Sequence, residues 1–147
     1  MSCTHDLVVH GFHCDLYGHV NNARYLEFLE AARWEALKGT IDVEQWHERG
    51  WLFVVAHIEI SYRAAATLGD ALRVHTWQGE FGGRSARVLQ RVIGPGGRTV
   101  VDATITYVIL DRATQKPLRM EGEVRAGLES LPSEPPQDAS ASGEDRP

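Results

Sequence analysis

Cysteine is scarce in this chain of 147 residues, which carries only Cys3 and Cys14. Two thiols near one terminus do not make a disulfide framework, so the expected setting is a reducing one, the cytoplasm. Long apolar runs are missing as well. No stretch approaches the roughly 18 apolar residues that cross a bilayer. The segment Met1-Ser2-Cys3-Thr4-His5-Asp6 has neither the basic region nor the apolar run of a signal peptide. No membrane partner is therefore expected. Positive charge is in deficit too: Lys and Arg number 15 against 20 Asp and Glu, a formal net charge of -5. A general nucleic-acid binder normally shows a basic face, so that partner is excluded, although local arginines remain available for a phosphorylated ligand.

What is present suits one globular domain, 43% hydrophobic and 24% charged. Residues 5–14 read as a strand, with Leu7, Val9 and Gly11 on one face and Val8, His10 and Phe12 on the other. A turn-rich segment from Asp15 to Asn22 leads into a helix from about Ala23 to Lys38, with Gly39 as its stop. Tyr25, Phe28, Leu29, Ala32 and Ala36 form a helical stripe that Leu26 and Leu37 widen, so burial on more than one side is expected. Glu30 and Arg33 are spaced to pair on this helix. A shorter helix follows from Asp42, its N-cap, to Arg49, ended by Gly50.

Beyond Trp51 the pattern changes. Residues 52–63, 71–80, 84–94 and 98–110 are rich in β-branched and aromatic residues and are separated by glycine turns, which predicts antiparallel hairpins. Residues 120–125 read as a strand or a helix end. From Pro132 the chain is rich in Pro, Ser and acid and predicts a disordered tail over 132–147, leaving a domain over 1–131. The fold class is α+β, one curved antiparallel sheet wrapped around one long central helix. Its sheet edges and the uncovered side of its helix invite a second subunit.

The sharpest feature is Asp15-Leu16-Tyr17-Gly18-His19-Val20-Asn21-Asn22. Asn21 or Asn22 can cap the following helix. The first helical turn still carries backbone N–H groups without intrahelical partners at the positive end of the helix dipole, which suits a polarised carbonyl or an oxyanion. Asp15 lies just before it, in a loop where Gly18 permits a tight turn. A carboxylate beside such a helix end can act on a carbonyl as general base toward water or as nucleophile. His19 adds an imidazole, the side-chain type that exchanges a proton near neutral pH. The bland alternative is that Asp, Gly and Asn are ordinary loop and cap residues.

The string CDLYGHVNNARYLEFLEAAR, residues 14–33, resembles the signature of the 4-hydroxybenzoyl-CoA thioesterase-like branch of the hotdog superfamily. That signature is an Asp, a Gly three residues on, HVNN, a Tyr and a helix bearing Glu-x-x-Arg. Residues 61–74, SYRAAATLGDALRV, resemble its second element, with Ala64-Ala65-Ala66 where the family often has Pro. The resemblance implies the hotdog fold and an acyl-CoA thioesterase that needs no cofactor and no metal. It implies a homodimer with a sheet continuous across the interface, often assembled into a tetramer, and acyl-CoA or an acyl-carrier-protein thioester lying between subunits. It places Asp15 at the catalytic carboxylate and Asn22 where a helix N-terminal N–H polarises the thioester carbonyl. Some bacterial relatives have His at the position of Asn22. His19 is shared with HVNN-bearing acyl-carrier-protein thioesterases, and is taken with Asp15 and Asn22 as catalytic. Gly18, Asn21 and Tyr25 of the motif fall to substrate binding, as do His57, reaching a partner's site, and Arg63, for CoA phosphates.

Other residues are weighed against plainer roles. His10 and His13 on a strand would point to opposite faces, which argues against a metal, and Cys14 has no evident base to make it a nucleophile. Arg84, Arg87 and Arg91 read mostly as a solvated strand face. Competing functions are a hotdog acyl-thioester hydratase or dehydratase, whose Asp-x-Asn-Pro-x-x-His motif is missing here, and a non-catalytic acyl-CoA-binding protein, which would usually bring a DNA-binding segment.

Overall fold

The structure is a computed structural model that describes residues 3–135. The tail expected over 132–147 lies outside the described residues from position 136 onward. Within the described residues six strands form one sheet: β1 (Cys3–Val8), β2 (Trp51–Tyr62), β3 (Ala71–Phe81), β4 (Ala86–Ile93), β5 (Thr99–Asp111) and the short β6 (Lys116–Pro117). Their order is β1-β3-β4-β5-β2, with β6 on β5, and every pairing is antiparallel. Among the described residues three α-helices accompany them: α1 (Arg24–Lys38), α2 (Val43–Glu48) and α3 (Gly122–Glu129). None is long and apolar enough to cross a membrane among the described residues.

The expected long helix buries the expected stripe. Tyr25, Phe28, Leu29, Ala32 and Ala36 are its buried residues. Alternate residues of the strands meet it from the sheet: Leu72 and Val74 on β3, Val88 and Val92 on β4, Ala103, Ile105 and Ile109 on β5. Asp42 caps α2 by accepting from the Gln45 N–H at 3.0 Å, and Gly50 ends it at φ +81.

Two expectations need correction. The first strand stops at Val8, not residue 14, because the His10 carbonyl accepts the His13 N–H at 3.0 Å and curls Gly11–His13 into a 3-10 turn. The curl brings the rings of His10 and His13 to a centroid distance of 5.6 Å rather than to opposite faces. Even so, no group of three metal-capable side chains forms among the described residues. Of the two readings of residues 120–125, strand or helix end, the helix end holds, since α3 begins at Gly122. Arg33 donates to Gln90 Oε1 at 3.0 Å, because its long side chain turns inward while Glu30 stays exposed.

The core divides in two along α1. One apolar cluster surrounds its N-terminal half, including Val9, Val20, Tyr25, Leu29, Ala66 and Val101. The other surrounds its C-terminal end and α3, including Ala36, Trp46, Val88, Ile109 and Leu128. A buried polar band runs between them. Gln90 Nε2 donates to the Leu29 carbonyl and to Thr76 Oγ1, both at 3.0 Å, and Tyr107 Oη reaches Gln78 Oε1 at 3.5 Å. Burial pushes the Tyr107 phenol far up, partly offset by that Gln78 bond, and burial lowers the Arg33 guanidinium despite Glu30 nearby.

Candidate active site

The loop before α1 is built by its own backbone. Asp15 N–H donates to the His19 carbonyl at 2.8 Å and Gly18 N–H to the Asp15 carbonyl at 3.1 Å. Gly18 closes this turn at φ +76, a conformation that a side chain would strain. The Asp15 carboxylate then folds back over the turn. Its Oδ1 accepts from the Tyr17 N–H at 2.9 Å and the His19 N–H at 3.3 Å. One oxygen is thereby pinned, and the other is not bonded among the described residues.

Neither candidate caps α1 with its side chain, because the N-cap position is Ala23; Asn21 instead closes the turn just before it. Its Oδ1 accepts from the Ala23 N–H and its carbonyl from the Arg24 N–H, both at 2.9 Å. The Asn22 N–H bonds to no acceptor among the described residues. It stands at the start of a fifteen-residue helix, where the aligned peptide dipoles favour negative charge. A donor left open beside a carboxylate with an open oxygen is what attack on a carbonyl requires.

The second sequence element closes the other wall. Val20 N–H donates to the Ala66 carbonyl at 2.9 Å, and a bridge joins His19 to Thr67. Arg98 reaches across to the Ala65 carbonyl at 2.9 Å. The result is an open cleft of about 590 Å³ lined by Asp15, His19, Asn22, Tyr25, Tyr62 and Arg63 with small residues between them. Gly18 and Asn21 shape it without lining it. His57 is exposed and lies five residues before Tyr62 on β2, some 16 Å away along the strand, outside the cleft of its own chain.

Tyr25 is 3% exposed. Burial raises its phenol above the usual range, offset in part by a hydrogen bond with the Ala66 backbone, so it stays neutral and serves as wall rather than base. Arg63 is aimed by Asp102, whose two oxygens take Arg63 Nε at 2.7 Å and Arg91 Nε at 2.5 Å. Sequence reasoning missed Tyr62. Its hydroxyl donates to the Asn22 carbonyl at 2.9 Å, tying the β2 end to the helix start. The aromatic residue before Arg63 was the available signal.

Known proteins now bear on this geometry. The family model described as the thioesterase-like superfamily matches residues 8–128. The chain belongs to that superfamily. Long-chain acyl-CoA thioesterase FadM of Escherichia coli strain K12 is 45% identical over 125 residues, covering 84% of this chain and 94% of that protein. The crystal structure of YbaW probable thioesterase from Escherichia coli superposes with a TM-score of 0.83 at 42% identity, covering 88% of this chain and 98% of that one. A 4-hydroxybenzoyl-CoA thioesterase variant complexed with 4-hydroxybenzoyl-CoA matches at TM-score 0.78 over 86% of this chain and 98% of that one. At 19% identity it bears on the fold alone. The fold is the expected hotdog arrangement.

Proposed function

We propose that this protein hydrolyses fatty acyl-CoA thioesters to free acid and CoA at the cleft between Asp15 and Asn22. The chain is a thioester hydrolase by its family and by its 45% identity to an acyl-CoA thioesterase. That relative's long-chain substrate supports the assignment of a fatty acyl group. The observation that carries the assignment to this cleft is the pairing of an Asp15 carboxylate fixed through one oxygen with an unclaimed Asn22 N–H at a helix start.

In the proposed reaction, the thioester carbonyl accepts from the Asn22 N–H, and negative charge growing on its oxygen is met by the helix dipole. The open oxygen of Asp15 takes a proton from water as that water attacks the carbonyl carbon. The tetrahedral intermediate collapses, the C–S bond breaks, and the CoA thiolate takes up the proton. In the alternative, Asp15 attacks the carbonyl carbon and expels CoA thiolate to give a mixed anhydride, which water opens to the free acid and the Asp15 carboxylate, with a proton from that water passing to the thiolate. His19 borders the water's approach, Tyr62 fixes Asn22, and Arg63 is placed for a CoA phosphate.

The reading includes a homo-oligomer. β2 is a twelve-residue edge strand, and an uncovered edge of that length favours a second copy; His57 at its middle would lie at that junction. Free Cys3 and Cys14 accord with a cytoplasmic setting. Asp15→Asn tests the chemistry. Thiol release from a panel of acyl-CoAs is expected to fall by about a thousandfold or more, with the melting temperature unchanged. Near-normal turnover in that variant would sink the assignment.

A further inference from the structure

A second hollow shares no residue with the proposed cleft. It is a cavity of about 320 Å³ between the second half of α1, the sheet and α3, with Ala36, Leu37, Val88, Ile105, Leu128 and Leu131 in its walls. That size is at the lower end of ordinary ligand pockets. Its mouth is flanked by Trp34, Val54 and Val55, which are 38%, 39% and 44% exposed.

One positive charge stands in this apolar wall. Arg33 lines the cavity from α1 and is the one cation that does so among the described residues. Burial holds its guanidinium below the usual range despite Glu30 nearby, so the cation has lost much of its hydration. A charge taken out of water needs partners. Of the five N–H donors of a guanidinium, Arg33 spends one among the described residues, on Gln90 Oε1 at 3.0 Å. Gln90 is itself pinned, since its Nε2 donates to the Leu29 carbonyl and to Thr76 Oγ1. The guanidinium is therefore held at one corner, and its other nitrogens are not sealed from the space beside them. Other polar groups of the wall are already engaged. Thr40 Oγ1 donates to the Ala36 carbonyl at 2.7 Å, and Gln78 Nε2 to the Arg87 carbonyl at 2.9 Å. Glu30 borders the cavity too, but it is exposed and acts on Arg33 through charge alone.

An apolar room with one unanswered cation fits a ligand with an apolar body and one negative end. A fixed guanidinium edge takes a carboxylate through two parallel bonds. A thioester is neutral at its carbonyl and would leave the cation unmatched. CoA would bring several phosphates to a wall that offers one cation. A space of this volume holds on the order of ten groups of a water's bulk, and a methylene is of similar bulk.

We propose that the cavity binds a free fatty acid of roughly a dozen carbons, with its carboxylate on Arg33 and its chain among Ala36, Val88, Ile105 and Leu128. The site stands on the cavity and on Arg33. That its ligand belongs to the protein's own product class rests on the thioesterase reading, which it deepens: product is held apart from the chemistry.

Laurate is the probe, titrated by calorimetry below its micellar concentration. One laurate per chain is expected, with dodecanol bound at least about tenfold more weakly because it lacks the charge. Arg33→Met keeps the length of the side chain and removes the charge. It should raise the Kd for laurate by roughly ten- to a hundredfold and leave that for dodecanol nearly unchanged. Ala36→Phe fills the cavity from α1 and should abolish binding of both. Asp15→Asn should leave laurate binding within about twofold, and saturating laurate should leave wild-type butyryl-CoA hydrolysis within the same range, because the cleft is a separate place.

Melting curves report that each variant is folded. Should Arg33→Met fail to fold, the dodecanol comparison and Ala36→Phe carry the test. Absence of laurate binding in the wild type, equal affinity for laurate and dodecanol, or unchanged laurate binding in both Arg33→Met and Ala36→Phe would each overturn the proposal. So would loss of laurate binding in Asp15→Asn, which would put the acid in the cleft. Wild-type protein that binds laurate yet releases no thiol from any acyl-CoA would refute the thioesterase reading and leave the site standing.

Discussion

The cleft at Asp15 and the cavity beneath the second half of α1 lie at opposite ends of one helix and are made by opposite means. The cleft is held by backbone hydrogen bonds within two loops, from Asp15–Gly18–His19 to Val20–Ala66. Asp15, His19 and Asn22 are exposed, on a floor of buried Val20, Tyr25 and Ala66. The cavity is walled by side chains from α1, β2, β3, β4, β5 and α3. It exists because two apolar clusters fail to merge, kept apart by the Thr76, Gln90 and Arg33 band. Local hydrogen bonding can aim a donor and a carboxylate to fractions of an ångström. Only long-range packing can leave a space of defined length. Catalysis and the binding of a fatty acid therefore draw on different physical resources in one small domain.

The contrast is broken most strongly at Gln90, which is 1% exposed and belongs to the boundary. Gln90→Ala removes the second donor to the Leu29 carbonyl, which keeps its helical bond, and takes a partner from the buried Thr76 hydroxyl and an acceptor from Arg33. Each buried group left without a partner costs about 1–3 kcal/mol, so a total near 3 kcal/mol is expected. In a thermal melt that is a drop of roughly 10 °C for a domain of this size. If the two regions are as independent as their construction implies, butyryl-CoA hydrolysis below the melting range stays near wild type while laurate binding weakens. Equal loss of both would show that the cleft leans on the cavity's packing.

The same contrast explains what could be read in advance. The motif residues Asp15, Gly18, His19, Asn21, Asn22 and Tyr25 fall within eleven consecutive positions, and local rules of turns and caps bind them to one another. Their chemistry is therefore visible in the order of the letters. The strands and the α1 stripe were equally plain because periodicity is local. Tyr62 and Asp102 were not, since their roles depend on partners forty positions away, the Asn22 carbonyl and Arg63 respectively. The 3-10 turn at Gly11–His13 escaped because a strand pattern of alternating residues continued through it, while the His10 carbonyl had a closer partner. The cavity was the least legible of all. Ala36, Val88 and Leu131 look like any core residues, and a gap in packing has no letter of its own.

A smaller effect sharpens the cleft side of the comparison. Asn21 closes the turn that leads into α1 through both its side chain and its carbonyl. Asn21→Ala removes the side-chain bond to Ala23 and should cost about 1 kcal/mol. Activity should fall with every acyl-CoA by a similar factor, because the Asn22 N–H loses its fixed direction while the cavity is untouched. Laurate binding that weakened as well would contradict the division of labour.

The smallest effect concerns a pair that belongs to neither region and so serves as their control. On β1, Asp6 accepts from Arg73 Nε at 2.8 Å and from its second nitrogen at 3.1 Å. That hydrogen bond, more than the charge alone, holds the Asp6 carboxyl below its ordinary value. A carboxylate depressed in the folded state adds stability that is present above its unfolded pKa and is lost as pH falls through the lower folded value. Melts between pH 6 and about pH 3 should therefore show a small acid-side loss that Asp6→Asn flattens and that salt weakens, since the pair is exposed and screened. Measured where the protein is folded, kcat for butyryl-CoA and the affinity for laurate should be the same in the variant as in the wild type. A change in either would mean that the β1 edge, which lies at the far side of the sheet from β2, also communicates with the cleft or the cavity, and the two-region account would have to admit a third.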